Sequence, residues 1–76
     1  MIRKRSISLN GHPTSVSLED EYWAELKRMA AESGLSLAAK VESIDDGRDA
    51  LNLSSALRLA VLADLKRRIA VQAGER

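Results

Sequence analysis

"SISLNGHPTSVSL", residues 6–18, carries almost the same four letters twice, Ser-Ile-Ser-Leu and Ser-Val-Ser-Leu. Each copy alternates small polar with branched apolar residues, the period-two pattern of a strand with one wet face and one dry face. Two arrangements satisfy it. The segment can fold on itself as a hairpin near Asn10-Gly11, or residues 14–18 can form one strand completed by the same strand of a second chain. In the hairpin version, pairing Leu9 with Thr14 sets Ile7 opposite Val16 and Ser8 opposite Ser15. A two-residue Gly11-His12 turn would need an amide at position 13, and Pro13 has none, so a four-residue loop over 10–13 is expected. The two-chain ribbon is the preferred reading, with residues 5–9 either free or flanking it as an outer strand. In both versions Val16 and Leu18 face a core, while Pro13, Ser15 and Ser17 face away from it.

Downstream the period changes to that of helices. Ser17 followed by Asp20 approximates a capping box, and Glu19, Asp20 and Glu21 place negative charge at a helix start. Tyr22, Trp23, Leu26, Met29 and Ala30 then form one apolar face, and Gly34 is the expected stop. Ser36 can cap a second helix carrying Leu37, Val41 and Ile44, which the acidic stretch 45–49 should break. A third helix is expected from Asn52 or Ser54 to about Ala70. Its apolar residues Leu57, Leu59, Val61, Leu62, Leu65 and Ile69 cover more than one stripe, which calls for a second burying surface and points to a dimer. Residues 71–76 read as a frayed tail.

The 76 residues make one small domain with no cysteine, so neither disulfides nor a cysteine zinc site can stabilise it. Hydrophobic content of 45% with 30% charged residues is a globular balance, and the net charge of +1 does not mark a nucleic-acid binder by itself. The cations are clustered instead, at Arg3, Lys4, Arg5 and again at Lys66, Arg67, Arg68. No apolar run is long enough to span a membrane and no signal peptide is evident, so a cytoplasmic protein is expected. Catalysis is not expected. His12 is the only histidine and reads as a turn residue, no phosphate-cradling glycine loop occurs, and Asp45, Asp46 and Asp49 lack the spacing of a calcium loop. No metal and no cofactor are expected. Trp23 lies on an apolar helix face and reads as core or interface packing. Arg58 reads as an ion pair to an acid such as Glu42 or Asp45 across a dimer. A helix-turn-helix would use Ala30 and Gly34, but it needs apolar residues where Lys40 and Ser43 stand.

"TSVSLEDEYWAELKRMAAESGLSL", residues 14–37, resembles the ribbon-helix-helix family of bacterial DNA-binding proteins, of the Arc and MetJ type. "GHPTSVSLEDEYW" and "NLSSALRLAVL" resemble more narrowly a short subfamily with a third helix, over about residues 3–68. The resemblance implies a mainly α fold with a short N-terminal β-strand, forming an intertwined homodimer with an extra C-terminal helix. It also implies a division into a basic arm or outer strand (1–11), the ribbon-helix-helix domain (12–70) and the tail (71–76). The dimer core would be Val16, Leu18, Trp23, Leu26, Val41, Ile44, Leu57, Val61 and Leu65.

The implied function is a homodimeric DNA-binding transcriptional regulator, such as a repressor, with a two-stranded ribbon in the major groove of double-stranded DNA. Pro13, Ser15 and Ser17 would face bases. The helix start at Ser36 and Leu37 would grip phosphate, and Arg3, Lys4 and Arg5 would add phosphate attraction. Pro13 replaces a long basic residue common in the family, which weakens base readout, and Lys40 stands where the family is usually apolar. The alternative is a protein-interaction module, antitoxin-like or adaptor, using the third helix. A free segment 1–11 favours DNA. A paired outer strand favours a protein partner, because a four-stranded sheet is too wide for the groove.

Overall fold

The computed structural model describes residues 1–45 and 53–74. Two antiparallel strands, β1 (Ile2–Leu9) and β2 (His12–Glu19), precede three helices, α1 (Asp20–Ser33), α2 (Leu37–Asp45) and α3 (Leu53–Gly74). The described part of the chain is thus mainly helical, but its β part is a full hairpin and not a single short strand. Residues 2–9, expected as a free arm or an outer strand, pair with β2 of the same chain.

The turn differs from the expected four-residue loop. Leu9 pairs with His12, leaving Asn10-Gly11 as a two-residue connection, with Asn10 at φ 51° and Gly11 at φ 81°. Two successive left-handed residues are what a type I′ turn needs, and Asn-Gly supplies them at least cost. The register follows: Ile7 opposes Thr14, Ser6 opposes Ser15, and Arg5 opposes Val16. Pro13 excluded only the turn one residue later. Here Pro13 opposes Ser8. Counting from the bonded Leu9–His12 pair, this is a pair that exchanges no hydrogen bonds, so the missing amide costs the hairpin nothing.

β2 runs directly into α1. Glu19 is the N-cap and provides no side-chain cap, so the expected Ser17 cap is absent. Ser17 lies within the strand, and its amide donates to Ser54 Oγ at 3.2 Å. Asp20 and Glu21 still fill the first helical turn. Gly34 ends α1 as expected, at φ 71°, donating to Ala31 O, while Leu35 N donates to Ala30 O at 2.9 Å. Ser36 Oγ accepts the Ala39 amide at 3.1 Å and so caps α2. Asp45 belongs to α2; residues 46–49 and Asn52 lie outside the described residues. α3 continues to Gly74, so residues 71–74, expected to fray, are helical.

One face of the hairpin packs on the helices. Leu9, Val16 and Leu18 meet Trp23, Leu26 and Met29 of α1, Val41 of α2, and Leu53, Leu57 and Val61 of α3 in one cluster. Seven of the nine residues expected in a dimer core are therefore buried inside a single chain, with Ile44 and Leu65 packed partly buried against them. Leu18, Leu26, Val41 and Leu57 are completely inaccessible. Among the described residues no helix is long and apolar enough to cross a membrane.

Candidate nucleic-acid interface

Strand alternation gives the hairpin an outer face, away from the helices. On β2 it presents Pro13, Ser15 and Ser17; on β1, opposite them, Ser8, Ser6 and Lys4. All six are exposed. The three residues expected to face bases thus lie side by side on an accessible ribbon of small polar groups. Such a ribbon has the width of two strands, which the major groove admits.

The basic triplet does not act as a unit. Lys4 shares the outer face, whereas Arg3 and Arg5 point to the helix side. Both reach Asp20 Oδ1, Arg5 at 2.7 Å and Arg3 at 3.5 Å. The Arg5 guanidinium also lies 4.9 Å from the centroid of the Trp23 ring, within the range of a cation–π contact. Trp23 is accordingly a buried core residue. Two of the three cations expected at phosphates are engaged within the fold.

Ser36 and Leu37 are separate from this face. α2 lies on the core side of the sheet, with Val41 in the core. It is tied to the hairpin tip by the Asn10 amide, which donates to Glu42 Oε2 at 2.8 Å. Lys40 reaches Ser33 Oγ at 3.4 Å while its stem stays half-buried, the snorkelling arrangement that keeps a lysine tolerable on this surface.

Arg58 does not use Glu42 or Asp45. Its Nε donates to Glu19 Oε1 at 3.1 Å within the same chain, an Nη contacts Ser17 O at 3.4 Å, and the guanidinium stands 5.9 Å from the Tyr22 ring. Glu19 is held below the usual glutamate range, first by a hydrogen bond with its own backbone and next by Arg58. Ser54 and Arg58 together therefore occupy the outer edge of β2 at Ser17.

Arg67 and Arg68, near the chain's end, join a network between α1 and α3. Arg28 bonds Asp64 at 2.6 Å, Glu25 at 2.7 Å and Glu32 at 3.0 Å, and Asp64 also takes Arg67 and Arg68. Arg68 pairs with Glu32 as well. Asp64 is held below the usual aspartate range, chiefly by the Arg28 hydrogen bond, and Arg28 is raised in turn. Sequence reasoning singled out Arg3, Arg5, Arg58, Arg67 and Arg68 but not Arg28, and missed Asp20, Glu19 and Asp64 as partners. Glu19 ends β2 and Asp20 opens α1, so the Arg5–Asp20 pair follows from the hairpin register and the Arg58–Glu19 pair from the packing of α3 on β2.

These features agree with the comparison to known families. The ribbon-helix-helix domain matches residues 2–65, most of the chain, and the protein belongs to that family. Its members are typically DNA-binding transcription regulators or antitoxins. Searches of curated proteins and of solved structures gave no match.

Proposed function

We propose that the protein is a homodimeric DNA-binding regulator whose hairpin enters the major groove by its outer face. The observation that carries this reading is the exposed surface formed by Lys4, Ser6, Ser8, Pro13, Ser15 and Ser17, polar but for the proline. Each chain supplies both strands, so the ribbon keeps the two-stranded width of the groove without a partner strand. Pro13, Ser15 and Ser17 face the bases, where the serines bond to almost any base edge and give modest discrimination. Lys4 adds a phosphate contact. The start of α2 at Ser36 and Leu37 offers further amides to the backbone of the DNA.

A second reading has its own support. Residues 2–9 form a paired strand and Arg3 and Arg5 both pair with Asp20, and both features favour a protein-interaction module of antitoxin or adaptor kind. Binding to labelled duplex DNA as a function of salt separates the two. On the DNA reading affinity falls steeply with salt, and Lys4→Ala lowers the log–log slope by about 1, the loss of one phosphate contact. Absence of binding to any duplex at low salt, with a stoichiometric protein partner on purification, establishes the second reading instead.

A further inference from the structure

Counting from the bonded Leu9–His12 pair, Leu9, Ile7, Arg5 and Arg3 turn their backbone groups to β2, while Ser8, Ser6, Lys4 and Ile2 turn theirs outward. All four outward residues are exposed. The side-chain bonds that reach the hairpin's backbone fall elsewhere, at Asn10 and Ser17. Among the described residues the outer edge of β1 therefore keeps its amides and carbonyls unpaired along the whole strand. That edge contains neither a proline nor a bulge, two devices that would stop another strand from adding there.

What the edge does carry is charge of one sign. Arg3, Lys4 and Arg5 follow one another, and β1 contains no acid. Asp20 answers both arginines with a single carboxylate, Arg5 closely and Arg3 only at 3.5 Å, with the Arg3 side chain 62% exposed. Edge charges keep strands of like sign away. Set directly opposite an acid, they attract it. A second β1 brings no acid to this edge, so the surplus cations select a partner of other composition. On the same face as Arg3 and Arg5, Ile7 packs half-buried against the core and offers an apolar neighbour.

We infer that the outer edge of β1 receives an extended acidic segment of a different protein as a third strand. The backbone of that segment bonds to Ile2, Lys4, Ser6 and Ser8. Its acids stand beside Arg3, Lys4 and Arg5, and an apolar residue stands beside Ile7. Main-chain bonds supply the affinity in such an addition, and alternate side chains supply the selectivity. Neither reading of function above uses this edge, and the edge of β2, on the other side of the sheet, is left to a second copy of the chain.

Fluorescence anisotropy of a labelled peptide, Thr-Val-Thr-Asp-Glu-Asp-Thr, with the full-length chain at low salt tests this. In the antiparallel register its valine meets Ile7 and its acids meet Arg5, Lys4 and Arg3. Saturable binding is expected, and a peptide with lysines in place of the acids should bind about tenfold more weakly or worse. N-methylation of the residues set beside Ser6 and Lys4 removes amides that face β1 and should cost about tenfold or more. N-methylation of the residues set beside Ile7 and Arg5, whose amides face away, should change little. Ser6→Pro removes an outward amide at an edge position; it should weaken binding about tenfold while circular dichroism shows the helices intact. The inference is overturned if the acidic peptide does not bind, or if the lysine peptide binds as well. Equal loss from the two methylated peptides also overturns it, since that marks a charge contact without strand pairing. Duplex binding on the same samples is a separate result. A chain that takes the peptide but no duplex overturns the DNA reading alone; one that takes duplex but not the peptide overturns this inference alone.

Discussion

Arg5 and Lys4 are neighbours in sequence and opposite in consequence. Strand alternation turns Arg5 inward to Asp20 and the Trp23 ring and leaves Lys4 in solvent. Arg5→Ala removes one partly exposed ion pair and one cation–π contact, which together contribute about 1–2 kcal/mol. Denaturant unfolding of Arg5→Ala should therefore show a lowered midpoint, while Lys4→Ala unfolds like the wild type. If the proposed DNA binding holds, the reverse is expected there: Lys4→Ala should change the salt slope and Arg5→Ala should change it little once the protein is folded. Equal effects of both variants on the salt slope would show that Arg5 leaves Asp20 when DNA binds. At the same scale, Leu18 is wholly inaccessible, and Leu18→Ala should cost about 2–5 kcal/mol by leaving a cavity under the hairpin.

At the scale of elements the hairpin turn sets everything above it. Gly11 holds φ 81° with open space around its Cα, so Gly11→Ala meets no clash and pays only for the left-handed backbone, about 1–2 kcal/mol. Thermal melts should show that loss, whereas Asn10→Gly, at a position already left-handed, should change stability far less. The same turn shows where the sequence was readable. The period-two pattern gave the second strand and the buried faces of both segments, because Ile7, Leu9, Val16 and Leu18 keep the same side in either register, but it left open whether the first segment is a strand at all. It did not give the register itself. Moving the turn by one residue, from Gly11-His12 to Asn10-Gly11, relieves the proline objection without altering the apolar pattern. The helices were legible from their apolar spacing and from Gly34, and the charged partners were not. Asp20 meets Arg5, and Arg58 meets Glu19, across a fold whose register no local pattern encodes.

For the whole molecule, the arrangement depends on α3 staying against α1, because α3 closes the core and covers the Ser17 edge. The fastening is ionic as well as apolar: Asp64 of α3 holds Arg28 of α1 at 2.6 Å. Its folded pKa lies below the ordinary aspartate value of 3.8, so the native state prefers the ionised carboxylate. The sign of the linkage follows. A carboxyl with a depressed native pKa contributes its full stabilisation above its unfolded pKa, near 4, and loses it as pH falls through the lower folded value. Arg28 remains charged throughout and adds no pH dependence of its own. Asp64→Asn should thus be less stable than the wild type at pH 7, and the gap between their melting temperatures should narrow below about pH 4 and nearly vanish once Asp64 is protonated in both states. A gap unchanged from pH 7 to pH 2 would mean that the Asn substitution acts through packing alone.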